Sequence, residues 1–151
     1  MDNFLNKRKK HLQFKNASAA IIINSKNEYL MQLRDNKESI FYPNHWGLFG
    51  GASEANEDPI KTVYREVLEE ISVKIIKFDY FTRQTFDLDF IGHGQIKRTY
   101  FVAQISIEEE KLIKLNEGKE YKFFNIKRLI NLTNLVPYDA YAIWLHVNYS
   151  T

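Results

Sequence analysis

The chain has 151 residues, of which 44% are hydrophobic, 26% charged and 15% aromatic, a balance that suits one folded domain and excludes a disordered or low-complexity chain. A formal charge of +2 is too small to indicate a nucleic-acid partner. The absence of cysteine excludes disulfides, thiolate zinc sites and cysteine nucleophiles, and fits a reducing cytoplasm.

At the start, MDNFLNKRKKHLQF carries a basic run with no apolar segment behind it, so neither a signal peptide nor a membrane span is expected. Lys7-Arg8-Lys9-Lys10 reads as a solvated face rather than a contact for phosphate or anionic lipid. With no repeat, linker or biased tract, a single domain over 1–151 is expected, residues 1–16 forming a basic extension.

Ala17–Asn24, rich in β-branched residues, predicts a buried strand. Ser25-Lys26-Asn27 is a turn and Glu28–Leu33 its hairpin partner. Arg34–Asn44 is polar, contains a proline and reads as a loop; Trp46–Phe49 is a short apolar segment entering Gly50-Gly51. The clearest helix runs from Asp58 to Ile71, with Asp58 as N-cap, Pro59 at the first turn, and Ile60, Val63, Tyr64, Val67, Leu68 and Ile71 as its apolar stripe. Val73–Phe81 and Lys97–Ile107 predict strands joined through a flexible turn at Gly92-His93-Gly94. Tyr121–Phe124 predicts a further strand and Tyr138–Val147 a C-terminal helix. Strands and helices mix without regular alternation, which indicates an α/β fold with a mixed sheet between helices.

The helix holds an electrostatic conflict. At about 100° per residue, Glu66, Glu69 and Glu70 share an arc of roughly 100° away from the apolar stripe. Like-charge pairs three and four residues apart destabilise an isolated helix by about 0.2–0.5 kcal/mol each. Arg65 relieves only part of this through Glu69, and negative charge near a helix C-terminus is disfavoured. Either this is a solvated acidic face, or divalent cations supply the missing charge, since clustered carboxylates are hard ligands suited to Mg²⁺ or Mn²⁺. The neighbouring Gly50-Gly51, where backbone can approach metal and phosphate closely, favours the second reading.

Residues 51–73, GASEANEDPIKTVYREVLEEISV, resemble the signature of Nudix hydrolases, G-x(5)-E-x(7)-R-E-U-x-E-E-x-G-U, where U is a bulky aliphatic. Gly51, Glu57, Arg65-Glu66, Val67, Glu69-Glu70 and Val73 occupy its positions, and Ser72 alone departs, standing where the pattern has glycine. The stretch Trp46-Gly47-Leu48-Phe49-Gly50-Gly51 is similar to the Leu-Pro-Gly-Gly that commonly precedes the box, with Phe49 in place of proline. MQLRD and EYKFFNIKRL are weaker points of likeness. Serine at 72 would carry about 1 kcal/mol of strain if it adopts the left-handed conformation usual just after a helix.

The resemblance implies a Nudix-type α/β/α sandwich and hydrolysis of a pyrophosphate within a nucleoside diphosphate-linked molecule, with Mg²⁺ as cofactor and Mn²⁺ as substitute. It further implies Glu66, Glu69 and Glu70 as metal ligands and catalytic residues, with the Gly50 carbonyl as a further ligand candidate. Glu57 is expected to hydrogen-bond Arg65 and orient the helix; Gly51 and Arg34 are candidate substrate contacts. The base is Glu66, Glu70 or a loop glutamate; of Glu117 and Glu120, Glu117 is favoured because Gly118 beside it would let the backbone swing. Tyr42, Trp46, Phe49 and Tyr80 are expected to pack in the core rather than stack a base. His45 and His93 are polar surface, with Gly92-His93-Gly94 a candidate lid. The expected partners are a small-molecule nucleotide and a second copy in a homodimer, in the cytoplasm and without membrane or nucleic-acid association. The alternatives are a non-catalytic nucleotide-sensing module and an RNA 5′-end pyrophosphohydrolase.

Overall fold

The computed structural model describes residues 13–150; the basic run at 7–10 lies outside them. Strands are β1 (Ala17–Ile23), β2 (Tyr29–Leu33), β3 (Trp46–Gly47), β4 (Phe49–Ala52), β5 (Asp79–Asp87), β6 (Gln95–Gln104) and β7 (Glu120–Phe124). Helices are α1 (Pro59–Ile71), α2 (Ile107–Glu110), α3 (Ile126–Leu129) and α4 (Pro137–Tyr149), with a short 3₁₀ turn at Asp89–Ile91.

Six of the seven β1 residues are buried, because both faces of this strand are covered and neither needs polar residues. It runs parallel to β6 from Ala17↔Arg98 to Ile23↔Gln104 and antiparallel to β4 at Ala17↔Ala52 through Ala20↔Phe49. β2 returns antiparallel to β1 and pairs with β3 and β7; β5 pairs antiparallel with β6. The sheet is therefore mixed and seven-stranded.

Alternation along β1 divides the interior in two. Ala20 and Ile22 face one cluster with Val63, Val67 and Ile71 of α1; Ala19, Ile21 and Ile23 face another with Ala142 and Ile143 of α4. Sheet between helices is the α/β/α sandwich, as the sequence implied.

Several expectations change. Residues 73–78 are irregular and the strand begins only at Asp79; Val73, Ile75 and Phe78 are apolar because they pack into the α1-side core, not because they pair. The strand expected to reach Ile107 stops at Gln104, and Ile107 opens α2, fixed by a Ser106–Glu109 capping box. Tyr64 and Leu68, placed on the apolar stripe, are 36% and 46% exposed, since only Val63, Val67 and Ile71 lie squarely on the sheet. Asp58 precedes α1 without a side-chain cap; its carbonyl instead accepts the Thr62 amide at 3.0 Å. At the β5–β6 tip, Gly92 and Gly94 take positive φ of 79° and 68°, and His93 packs on Phe14 with ring centroids 4.5 Å apart.

Candidate active site

Gly50 and Gly51 sit on β4, directly across from β1 and against α1. Gly50 has φ +137°, and a Cβ there would strike the Ser18 backbone, so only glycine fits. A Cβ at Gly51 would fall on the Glu66 carboxylate. The glycine pair thus lets two carboxylates of α1 approach the strand. Glu66 lies over Gly51, and the Gly50 amide donates to Glu70 Oε2 at 2.8 Å. The sequence offered the Gly50 carbonyl as a ligand candidate; the contact this structure shows is through the amide.

Arg65 clamps the loop to the helix. Its Nε and Nη2 donate to Glu57 Oε1 and Oε2, both at 2.9 Å, and Nη2 also reaches the Ala52 carbonyl at 3.0 Å. Such a bidentate fork fixes direction as well as distance. The Glu57 carboxylate also accepts the Glu54 amide at 3.0 Å and lies 2.9 Å from the buried Thr62 hydroxyl. These bonds, Arg65 foremost, hold the Glu57 pKa down at about 2. The expected Glu57–Arg65 contact is therefore present, and Arg65 Nη1 extends it to Glu66 Oε1 at 2.5 Å and Glu69 Oε2 at 3.4 Å.

The three helix glutamates differ in their surroundings. Glu69 has an exposed side chain. Glu66 is partly covered, and burial raises its pKa against the pull of Arg65. Glu70 is 4% exposed, and burial, reinforced by Glu117 and Glu66, lifts its pKa to about 8 despite the Gly50 amide. Burial thus disfavours the charged form of two carboxylates on this face, and a bound cation would favour it. Among the described residues no three acidic or histidine side chains are drawn together as a ready cation cage, because Arg65 and the Gly50 amide engage Glu66 and Glu70. Clustered hard oxygen donors nonetheless suit a divalent cation in kind.

Ser72 adopts the left-handed conformation expected of glycine, with φ 57° and ψ 19°. The loop before β7 answers the strain. Asn116 Nδ2 donates to Ser72 Oγ at 2.7 Å and to the Glu69 carbonyl at 2.8 Å, and its amide donates to the Glu70 carbonyl at 2.8 Å. Of the last carbonyls of α1, which lack partners within a helix, this residue satisfies those of Glu69 and Glu70, while the Lys114 amide donates to Ile71 at 2.9 Å and the Ser72 amide to Leu68 at 2.9 Å. Asn116 escaped sequence reasoning because nothing local marks a loop asparagine that caps a helix 44 residues away.

The same loop brings Glu117 close enough to raise the pKa of both Glu66 and Glu70. Glu120 instead opens β7, paired with Leu33. The swinging backbone expected beside Gly118 is not what the structure shows. Gln32 Nε2 donates to the Glu117 carbonyl at 2.8 Å, the Lys119 amide donates to the Leu33 carbonyl at 2.8 Å, and a Cβ on Gly118 would lie 2.8 Å from Gln32. Gly118 thus serves both a positive φ of 89° and close packing on Gln32.

Arg34, at the end of β2, donates Nε to the Phe41 carbonyl at 2.9 Å and is near enough to Glu70 to lower its pKa. Of the aromatic candidates, Trp46 and Phe49 are buried as expected, whereas Tyr42 and Tyr80 are exposed. A buried polar group below the site also went unforeseen. Asp139 accepts the Leu48 amide (3.0 Å), the Tyr100 hydroxyl (3.0 Å) and Arg98 Nε and Nη2 (3.2 and 3.1 Å). Burial opposes the Arg98 charge, yet Asp139, Tyr100 and Tyr138 together hold its pKa above the ordinary arginine range.

The layered fold and the clamp on α1 define a class, a mixed-sheet sandwich with its acidic helix face set against a glycine pair. The model of the NUDIX domain family matches residues 13–143, and the chain belongs to that family. Among solved structures, the chain is similar to a MutT protein from Methanosarcina mazei Go1 (TM-score 0.72, 22% identity, covering 94% of this chain and 100% of that one). It is similar also to the NUDIX domain of Shewanella oneidensis NrtR, solved with ADP ribose (0.73, 16%, 99% and 95%). A third is the E. coli dihydroneopterin triphosphate pyrophosphohydrolase (0.67, 17%, 87% and 95%). At these identities the likeness establishes the fold. No curated protein matches the chain. Among the described residues no helix is long and apolar enough to cross a membrane.

Proposed function

We propose that this chain is a divalent-cation-dependent hydrolase of the pyrophosphate in a nucleoside diphosphate-linked substrate, a nucleoside triphosphate or a nucleotide sugar. The observation that carries the reading is that the Glu66 and Glu70 carboxylates lie against the Gly50-Gly51 pair, on a helix that the Arg65–Glu57 clamp holds in place. Glu66, Glu69 and Glu70 are the residues that would hold Mg²⁺ or Mn²⁺. When bound, the cation neutralises the pyrophosphate and activates water.

The chain's own groups do the rest. Gly50 and Gly51 admit the substrate's phosphates to the strand, and Arg34 offers its guanidinium to them. Arg65 and Glu57 keep the acidic face aimed. In this reading the Glu117 carboxylate, on a loop pinned to the end of α1, takes a proton from attacking water at a carboxylate oxygen, with Glu66 and Glu70 as the other candidate acceptors. A non-catalytic sensing module would have no use for so costly a set of carboxylates. A modest formal charge of +2 speaks against an RNA 5′ end.

The test is release of phosphate and nucleotide from a panel of triphosphates, nucleotide sugars and dinucleotides, with Mg²⁺, with Mn²⁺ and with EDTA. Turnover of at least one member that EDTA abolishes is expected. Binding without turnover across the panel would make the chain a sensor instead.

A further inference from the structure

β5 is the last strand of the sheet, paired with β6 on one side and with no described residue on the other. Its sequence, DYFTRQTFD, has neither the lysine nor the proline with which proteins ordinarily blunt an open edge. A bulge between Tyr80 and Thr82 interrupts its first half, so the regular edge runs from Thr82 to Asp87. Along it, Arg83, Thr85 and Asp87 are exposed.

The main-chain groups of the same three residues point outward. In an antiparallel ladder, successive residues turn their N–H and C=O alternately toward and away from the neighbouring strand. Lys97 lies opposite Thr85, and its amide is turned away from β5, donating to Asn16 Oδ1 on the β1 side at 2.9 Å. The Leu88 amide points inward, to the Gly94 carbonyl at 2.9 Å. By alternation, Arg83, Thr85 and Asp87 present their amides and carbonyls to the open edge. Their side chains share one face, where Arg83 Nε donates to Thr99 Oγ1 at 3.1 Å. Among the described residues Arg83 forms no ion pair, and the Asp87 carboxylate accepts only the Asp89 amide, at 3.1 Å.

Charge selects what fits this edge. In a two-fold dimer a surface meets its own copy. An axis at Thr85 sets Thr85 against Thr85, and Arg83 of each copy against Asp87 of the other. Every opposed residue is then one whose main-chain groups point outward, so each pair exchanges both N–H···O bonds. Opposite charges and paired threonines are also favourable directly across antiparallel strands. An axis at Arg83 would oppose arginine to arginine, and one at Asp87 aspartate to aspartate. Axes at Gln84 or Phe86 would set Thr85 against one of the two charges. Only the Thr85 axis satisfies hydrogen bonds and charges together. The edge is also remote from the acidic face: Gly51, Ser18, Thr99 and Arg83 are in register across β4, β1, β6 and β5. Three steps of about 4.8 Å put Arg83 about 14 Å from Gly51.

We propose that two copies of this chain join edge to edge along β5, across a two-fold axis at Thr85, so that the sheet of one continues into the other. The association is independent of hydrolysis. A short edge buries less than a standard interface, so the dimer should form reversibly as concentration rises. Sedimentation velocity on the 151-residue chain, from micromolar to millimolar concentration, measures it. Asp87→Arg sets like charges against Arg83, and Arg83→Asp does the same against Asp87; each should weaken the dimer at least about tenfold. The double variant Arg83→Asp/Asp87→Arg exchanges the two charges and should restore the wild-type affinity. Thr85→Pro removes a donor that only the dimer uses, a change that an edge strand tolerates, and should leave a monomer. Circular dichroism melts confirm that the variants are folded. A wild type that stays monomeric at every concentration, or a dimer unmoved by either single reversal, would overturn the contact. A double variant as weak as the single ones, or a dimer that survives Thr85→Pro, would overturn it equally.

Discussion

Glu70→Gln sets stability and activity against each other. The variant keeps the side-chain shape and an acceptor for the Gly50 amide but removes the charge. In the metal-free protein, burial first, then Glu117 and Glu66, raise the Glu70 pKa from 4.5 to about 8. The sign follows from linkage. The unfolded chain releases this proton at the ordinary carboxylate pKa, while the folded protein keeps it until about pH 8. Glu70 therefore contributes fully to stability below pH 4.5, and the contribution is lost as pH rises through about 8. At about 1.4 kcal/mol per pKa unit, that window amounts to a few kcal/mol. Glutamine does not titrate, so variant and wild type should melt together near pH 4.5 in EDTA. By pH 9 the variant should melt higher by about 5–10 °C, at about 2–4 °C per kcal/mol for a chain of this size. Millimolar Mg²⁺ should narrow the gap by stabilising the wild type, while hydrolysis by the variant falls at least about a hundredfold. A gap that is independent of pH, or that opens toward acid, would refute the claim that Glu70 is a desolvated carboxylate.

Other outcomes follow from the same geometry. Asp139→Asn leaves the buried Arg98 without its counter-charge and should cost about 3–5 kcal/mol in urea unfolding; a loss below about 1 kcal/mol would mean that water reaches this pair. Glu117→Gln should lower kcat and remove the acidic limb of its pH profile whereas Glu120→Gln, on the paired strand, should not; wild-type profiles for both would return the base to Glu66 or Glu70. Asn116→Ala, which strips the partners from Ser72 Oγ and the Glu69 carbonyl, should lower stability by about 1–2 kcal/mol, and an unchanged melting temperature would show that water replaces it.

What the sequence determined by itself was whatever is written in local spacing. Helical periodicity and the run of charge located α1, Pro59 marked its first turn, and fixed intervals from Gly51 to Glu70 tied loop to helix. The β-branched run of β1 was legible for the same reason, since a strand covered on both faces has no polar alternation to hide it. Residues 73–78 were misread because burial in a core and pairing in a sheet select the same apolar residues, and only packing tells them apart. The rest depended on contacts between distant segments. Asn116 completes the end of α1 from another loop, Asp139 reaches the Leu48 amide from the last helix, and Tyr42 meets Tyr138 across 96 positions. A sequence specifies which groups need partners; only the folded chain, by bringing remote backbone and side chains within hydrogen-bonding distance, decides which partners they find.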